Sequence, residues 1–473
     1  MTTASLIITG CNLIDGTGAF ADRPMTIWID KGRFGGIWPD GQREVPVKDI
    51  RAIDGRGKHV IPGLINSNVH LLDGIMMMGH GGVEYLARFE GRYHEVIEEA
   101  AQIALKAGMT TVFDTWNALE PVKLARKRIN EGRVAGARIF CAGNIVGMGG
   151  PFSGDFCLEC RPTMSKTFAD RSDKLFEAGV GRRLSALPPE EVRAIVRDYL
   201  TKEIDFLKFA ISDHIVIGPS YQSLGPIGPY LTFSERVQRI IVEETRRAGL
   251  PVVTHTTSVE SLQSAIDLEV DAMMHCTITG QVPIPQSTLE DMVRKCVWGE
   301  IQPSTEKYQK ALDKKGGRWA KSAGGVHREN AIRLIQADGP ILMGTDAGCT
   351  DPDILAELSE EELDERSFTL GKDHLNWFVA MSQMGMKPMA MLLAATRDVA
   401  KAYGKLDDLG TIEVGKIADL LILNGNPLQD LKAYANIDTI VKDGLIVDHQ
   451  ALPTKQVVTK SRFWCDDPSL VES

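Results

Sequence analysis

The chain has 473 residues, of which 43% are apolar and 25% charged, with a net charge of −10. Its length exceeds one ordinary core, so two structural units are expected, and the composition excludes a disordered or fibrous chain. The acidic balance speaks against nucleic acid, no run of roughly 18 apolar residues offers a membrane span, and the cysteines without an export signal point to reduced thiols in the cytoplasm.

Residues 1–60 read as short strands punctuated at Asp15-Gly16-Thr17-Gly18, Asp30-Lys31-Gly32 and Asp54-Gly55. Val60-Ile61-Pro62-Gly63-Leu64-Ile65-Asn66-Ser67-Asn68-Val69-His70 is an apolar strand that ends in two potential metal ligands. Alternate residues of a strand share a face, so Asn68 and His70 project together. In the loop that follows, Met76, Met77 and Met78 cannot all face one way. Over a site they offer a deformable apolar surface, with His80 at the same mouth, and ordinary core packing is the other reading. Residues 92–107 have helical periodicity. Ala107 to Asp114 reads as a second strand, with Trp116 just past it as a candidate flat wall, and Ala137 to Gly143 reads as a third.

Asp205 to Ile211 places Lys208 inside an apolar run, where a bare ammonium is costly. Lys208 either snorkels or pairs with a carboxylate, or it is modified into a ligand. His214, six residues on, offers a hydrogen bond to a reacting carbonyl or stays solvated. A helix is expected over 233–248, starting near Ser234. Short β-type runs then end in His255 (Pro251 to His255) and His275 (Asp271 to His275). Val297 to Ser304 is a further strand, and Ile341 to Ala347 carries Asp346. Strands separated by helical patterns predict a parallel barrel. Residues 144–190, 305–326 and 350–372 are long connections that follow barrel strands and hang over one face. Cys157 and Cys160 form a lone C-x-x-C pair without the second pair a zinc ribbon needs. His94 and His374 fall in helical patterns, away from chemistry. Leu409 to Leu423 reads as two strands around a Gly turn, and Ile437 to Val447 as a hairpin around Asp443-Gly444. Neither end buries enough apolar surface alone, which predicts one β-sandwich assembled from both.

The strand-end residues resemble the amidohydrolase superfamily. Its pattern is His-x-His after strand one, a carboxylated Lys after strand four, His after strands five and six, and Asp after strand eight. Here those positions are Asn68 and His70, Lys208, His255, His275 and Asp346. The resemblance covers nearly the whole chain. The Asn68 departure is similar to a small Asn-x-His subgroup, the phenylurea and molinate hydrolases. The resemblance implies an α/β fold: a (β/α)8 TIM barrel over residues 61–408 and a composite β-sandwich domain from 1–60 and 409–473.

It also implies a divalent metal, zinc foremost with cobalt, manganese or iron as alternatives, in one or two ions. The holding set would be Asn68, His70, His255, His275, Asp346 and Lys208 as N6-carboxylysine. Imidazole, carboxylate and carbamate suit such ions, whereas a neutral amide is a weak donor. Asn68 therefore lowers the expected occupancy toward one ion held by Lys208, His255 and His275. A divalent ion lowers the pKa of bound water from about 15.7 to near 7, and hydroxide then attacks a carbonyl carbon. Asp346 is expected to take the proton and pass it to the departing nitrogen or sulfur.

The expected activity is hydrolysis of a carbon–nitrogen bond other than a peptide bond, in a small neutral aromatic or apolar substrate. An N-aryl-N′,N′-disubstituted urea comes first. A thiocarbamate, a prolidase-like dipeptide or acyl-amino acid, and a non-catalytic scaffold are the alternatives. No Arg cluster at the strand ends awaits a carboxylate or phosphate, which favours a neutral substrate. Association into a homo-oligomer is expected.

Overall fold

The computed structural model describes the chain except residues 1–4, 20, 44–49, 73–85, 154–164, 178–179, 181, 213–230, 281, 316–324, 349–358, 360–368 and 455–473. The amino end supplies β1 (Leu6–Leu13), β2 (Met25–Asp30), β3 (Arg33–Pro39), β4 (Arg51–Asp54) and β5 (His59–Pro62). Lys31 and Gly32, which join β2 to β3, have φ of 50° and 80°. Two left-handed residues are what a tight two-residue hairpin requires.

Parallel strands follow: β6 (Leu64–His70), β7 (Met109–Asp114), β8 (Arg138–Cys141), β9 (Leu207–Ala210), β10 (Val252–His255), β11 (Ala272–Met274), β12 (Trp298–Ile301) and β13 (Ile341–Met343), with the short β14 (Ala347–Gly348) beside β6. The helices α1 (Tyr93–Lys106), α2 (Leu119–Asn130), α3 (Lys166–Glu177), α4 (Pro189–Leu200), α5 (Glu235–Arg247), α6 (Val259–Asp267), α7 (Gln286–Lys295), α8 (Glu306–Lys315) and α9 (His327–Gln336) alternate with them. Then come α10 (Lys372–Gln383), α11 (Pro388–Ala394) and α12 (Arg397–Ala402). Ser234 is the residue before α5, as expected, but its side chain makes no capping bond.

The expected single barrel sheet is divided into two ladders, β14-β6-β7-β8 and β9 through β13 in chain order. β8 hands over to β9 through Asp205 N–H to Cys141 O (2.9 Å) and through Val146, which bonds Lys208 and Ala210. Gly143, at φ 73°, turns the chain there, so regular pairing stops. On the other side, Ser67 Oγ donates to Met343 O at 2.6 Å and Asp346 N–H donates to Asn68 O at 2.8 Å. Every residue of β6, β7, β9 and β10 is buried. Strands buried on both faces normally carry continuous apolar runs. Asn66, Ser67, Asn68, His70 and Lys208 break that rule, and the breaks lie where the site forms.

One apolar cluster draws Ile65, Phe113, Val253, Ala272 and Leu342 from five of these strands onto Val399, Ala400 and Tyr403 at the end of α12. Tyr403 stacks on Phe113 with centroids 3.7 Å apart, and its hydroxyl donates to Ser67 O at 2.7 Å.

The carboxyl end returns with β15 (Leu420–Leu423), β16 (Ile437–Lys442) and β17 (Leu445–Val447). These pair onto β5, so both chain ends share one sheet, β17-β16-β15-β5-β1-β2-β3, with β4 beside β1. β1 belongs to both halves of this layer, pairing with β2 and β4 over its first part and with β5 at Asn12 and Leu13. Gly10 (φ 69°) and a register shift between Ile8 and Cys11 let β1 leave β2 and join β5. Side chains of both arms, Ile8, Ile27 and Phe34 with Val60, Leu420 and Val441, meet in one core.

The hairpin at Asp443 (φ 52°) and Gly444 (φ 73°) forms as expected. The strand expected before Gly415 does not. Its backbone bonds go to scattered partners, such as Ile412 N–H to Asp15 O and Gly415 N–H to Phe34 O. Only Ile417 makes an isolated bridge, to Arg33. Among the described residues no helix is long and apolar enough to cross a membrane.

Candidate active site

The carboxyl ends of the parallel strands bring Asn68, His70, Lys208, His255, His275 and Asp346 into one buried network. His275 and Asp346 follow their strands with φ of 58° and 56°. This left-handed backbone costs of order 1–3 kcal/mol for a non-glycine residue and concentrates at functional sites. It ends each strand and turns its last polar side chain toward the network.

His70 Nε2 lies 2.8 Å from Asp346 Oδ1, and His70 Nδ1 lies 3.3 Å from the Trp116 carbonyl. Both of these oxygens accept, so a neutral His70 ring donates to one of them and turns its other nitrogen toward the second. Gln302 Nε2 stands 2.8 Å from Asp346 Oδ2 and 2.7 Å from His275 Nδ1. The His255 and His275 rings sit 5.0 Å apart at 70°. Lys208 Nζ donates to Thr115 Oγ1 at 3.1 Å, and that hydroxyl donates to Asn68 Oδ1 at 2.5 Å. Asn68 Nδ2 donates to Glu300 Oε2 at 3.4 Å, and the same oxygen accepts the His275 amide N–H at 2.8 Å. His70, His255, His275 and Asp346 keep 3–8% exposure, whereas Asn68 and Glu300 have none. The imidazole and Asp346 side is therefore the side nearer solvent.

Burial sets the charges. It pushes the Lys208 ammonium down to about 8, against the pull of Asp346, Glu300 and Asp114. Burial and the neighbouring Asp346 charge push the Glu300 carboxyl up to about 8. Asp346 goes the other way: burial raises it, but His275 and His70 hold it well below the usual carboxylate range. Asp114, which binds the Leu71 and Trp116 amides and Asn117, is raised by burial to about 6.

Three imidazoles and a carboxylate are a donor set that suits a divalent ion. Among the described residues no three His, Cys, Asp or Glu side chains close into a ready-made cage. Hydrogen bonds through Thr115, Gln302 and Glu300 link the donors instead.

Trp116 is buried beside His70, their rings T-shaped at 6.0 Å, with its Nε1 donating to Asn144 Oδ1 at 2.8 Å. Its other ring neighbour is Phe176, with centroids 5.0 Å apart. Met76, Met77, Met78, His80 and His214 lie outside the described residues, as do Cys157 and Cys160. His94 and His374 lie on α1 and α10, as their periodicity indicates. Sequence reasoning missed Thr115, Glu300 and Gln302. Glu300 had a readable signal, since it sits mid-strand among Val297, Trp298 and Ile301 as Lys208 sits between Leu207 and Phe209. Thr115 and Gln302 had none, being ordinary polar residues after a strand.

A sequence model of the amidohydrolase family matches residues 59–447. The solved structure of a molinate hydrolase is 52% identical, covers 97% of this chain and 98% of its own, and superposes with a TM-score of 0.92. Phenylurea hydrolase B is 46% identical over 96% of this chain and 99% of its own, with a TM-score of 0.91. A Xaa-Pro dipeptidase shares the fold at 22% identity, over 94% of this chain and 100% of its own, with a TM-score of 0.70.

Proposed function

The chain belongs to the amidohydrolase family, and from that premise we propose that it hydrolyses a small neutral amide-like compound, foremost an N-aryl-N′,N′-disubstituted urea. Water adds across the carbonyl–nitrogen bond to give an arylamine and a carbamic acid, which loses carbon dioxide to leave a dialkylamine. The observation that carries the reading is near-full-length identity of about half to the molinate and phenylurea hydrolases, in a chain whose Asn68, His70 and Asp346 converge at the strand ends.

The family is generally metal-dependent. In this reading His70, His255, His275, Asp346 and Lys208, the last as a carbamate, hold a divalent ion. The depressed Lys208 pKa leaves more unprotonated amine for carbon dioxide to capture. When bound, such an ion supplies a water of pKa near 7 and polarises a carbonyl. Asp346 accepts the proton released from water. His70 and Gln302 bind its two oxygens and fix its aim. Asp346 then delivers that proton to the departing nitrogen, and an aniline leaves more readily than an alkylamine. Trp116 offers a flat apolar wall for the aryl group. Met76, Met77, Met78 and His80 are the further substrate contacts of this reading, and His214 is its donor to the carbonyl oxygen.

For the fold, the two ladders read as one (β/α)8 barrel over 61–408. Support comes from their chain order, the hydrogen bonds that join them at both edges, and the inward cluster around Tyr403. The sheet from residues 1–60 and 409–473 forms the second domain. Further copies of the chain are the only macromolecular partner proposed.

A second reading, thiocarbamate hydrolysis, is favoured by the higher identity to molinate hydrolase, 52% against 46%. Turnover of matched N-aryl-N′,N′-dimethylureas and S-alkyl thiocarbamates at equal enzyme separates the two. Faster arylamine release supports the urea, and thiol release alone moves the function to thiocarbamates.

A further inference from the structure

Glu300 is a fully buried carboxyl on β12 to which the proposed chemistry gives no task. Its Oε2 accepts the His275 amide N–H at 2.8 Å and the Asn68 side-chain N–H at 3.4 Å, and stands 3.6 Å from His275 Nδ1. Its Oε1 has no hydrogen-bond partner among the described residues. The neighbouring strand end makes room for it: a Cβ on Gly344 would come within 2.2 Å of Glu300 Cγ. Simple packing would be served at less cost by an apolar side chain of the same volume.

The contacts say what the carboxyl does. The two ends of an amide differ, and the bond from Asn68 Nδ2 to Glu300 decides which end faces where. It turns Asn68 Oδ1 to the Thr115 hydroxyl, which in turn takes the Lys208 Nζ hydrogen bond. The same carboxyl pins the backbone of His275 at its left-handed turn. We propose that Glu300 is the positioning residue of this site, which orients Asn68 toward Lys208 and anchors His275, and on which affinity for the divalent ion depends. This inference rests on the reading of the site as metal-binding.

The test is the affinity of the full chain for cobalt(II) after chelator treatment, measured by competition with a chromophoric chelator. Thermal unfolding of each metal-free protein checks its fold. Glu300→Leu removes the acceptor and should weaken cobalt binding about 10- to 100-fold, the usual consequence of losing a residue that orients a ligand. Glu300→Gln keeps an oxygen for both hydrogen bonds and should stay within about threefold of wild type. A folded Glu300→Leu protein with wild-type affinity overturns the proposal. So does a Glu300→Gln protein as impaired as Glu300→Leu, which would make the negative charge a direct donor to the ion. If Glu300→Leu does not fold, Gly344→Ala carries the same expectation, because it crowds Glu300 and removes no polar atom; undiminished affinity there also overturns it. Wild-type protein that binds no divalent ion would instead refute the metal reading itself.

Discussion

At Lys208 the chain buries an amine whose one hydrogen-bond acceptor among the described residues is the Thr115 hydroxyl, in a strand with no exposed residue. If that amine becomes the carbamate ligand, Lys208→Ala should lose most bound metal and nearly all turnover. Elemental analysis beside an activity assay checks this, and full metal content with full activity would refute the assignment. Asn68 makes a second case. Its oxygen is engaged by Thr115 and its nitrogen by Glu300, so it has little donor capacity left for an ion. Asn68→His should therefore raise bound metal per chain, and two ions in both proteins would show that Asn68 does not limit occupancy. These residues were legible because each is an anomaly in an apolar strand. Thr115 and Gln302 were not, since a hydroxyl or an amide past a strand end acquires meaning only from partners far along the chain.

At the scale of the element, α10 places His374 in its first turn with no exposure. Nδ1 accepts the Gly371 N–H at 3.4 Å, and burial holds the imidazole down to about 3. The unfolded chain takes up a proton near pH 6.5, the folded chain only near 3, so stability falls as pH drops through that window. The loss is up to about 1.4 kcal/mol per pH unit, and the helix dipole opposes a cation at this end as well. His374→Phe should flatten the pH dependence of the denaturant midpoint between pH 6.5 and 4 relative to wild type, and parallel curves would contradict this. Most strands were legible because apolar runs bounded by Gly and Asp leave few choices, although Val60 to His70 divides at Gly63 into β5 and β6, β12 stops at Ile301 and β13 at Met343. Leu409 to Ala418 has the same grammar, but its hydrogen bonds go to loops that sequence does not pair with it.

For the whole molecule, the decisive event is the return of the carboxyl end to the sheet begun by the amino end. The sequence implied that union because neither end can bury its own apolar face, while the passage of β1 from β2 to β5 near Gly10 was not visible. Arg138, at the start of β8, ties that sheet to the ladders through Asp419 at 2.5 Å and through Asp443. Arg138→Met would strand the buried Asp419 carboxylate and should lower unfolding free energy by about 3–5 kcal/mol, read by chemical denaturation; a loss below about 1 kcal/mol would mean the joint does not depend on it. In the proposed reading the strand ends present the site and apolar walls disfavour a dipeptide, whose carboxylate is costly to bury unless a cation meets it. The most direct test measures arylamine release from an N-aryl-N′,N′-dimethylurea beside amino-acid release from dipeptides, before and after chelation. Arylamine release should exceed dipeptide cleavage by several orders of magnitude, be abolished by chelation and be restored by a divalent ion. Efficient dipeptide cleavage with no arylamine from any urea would contradict it.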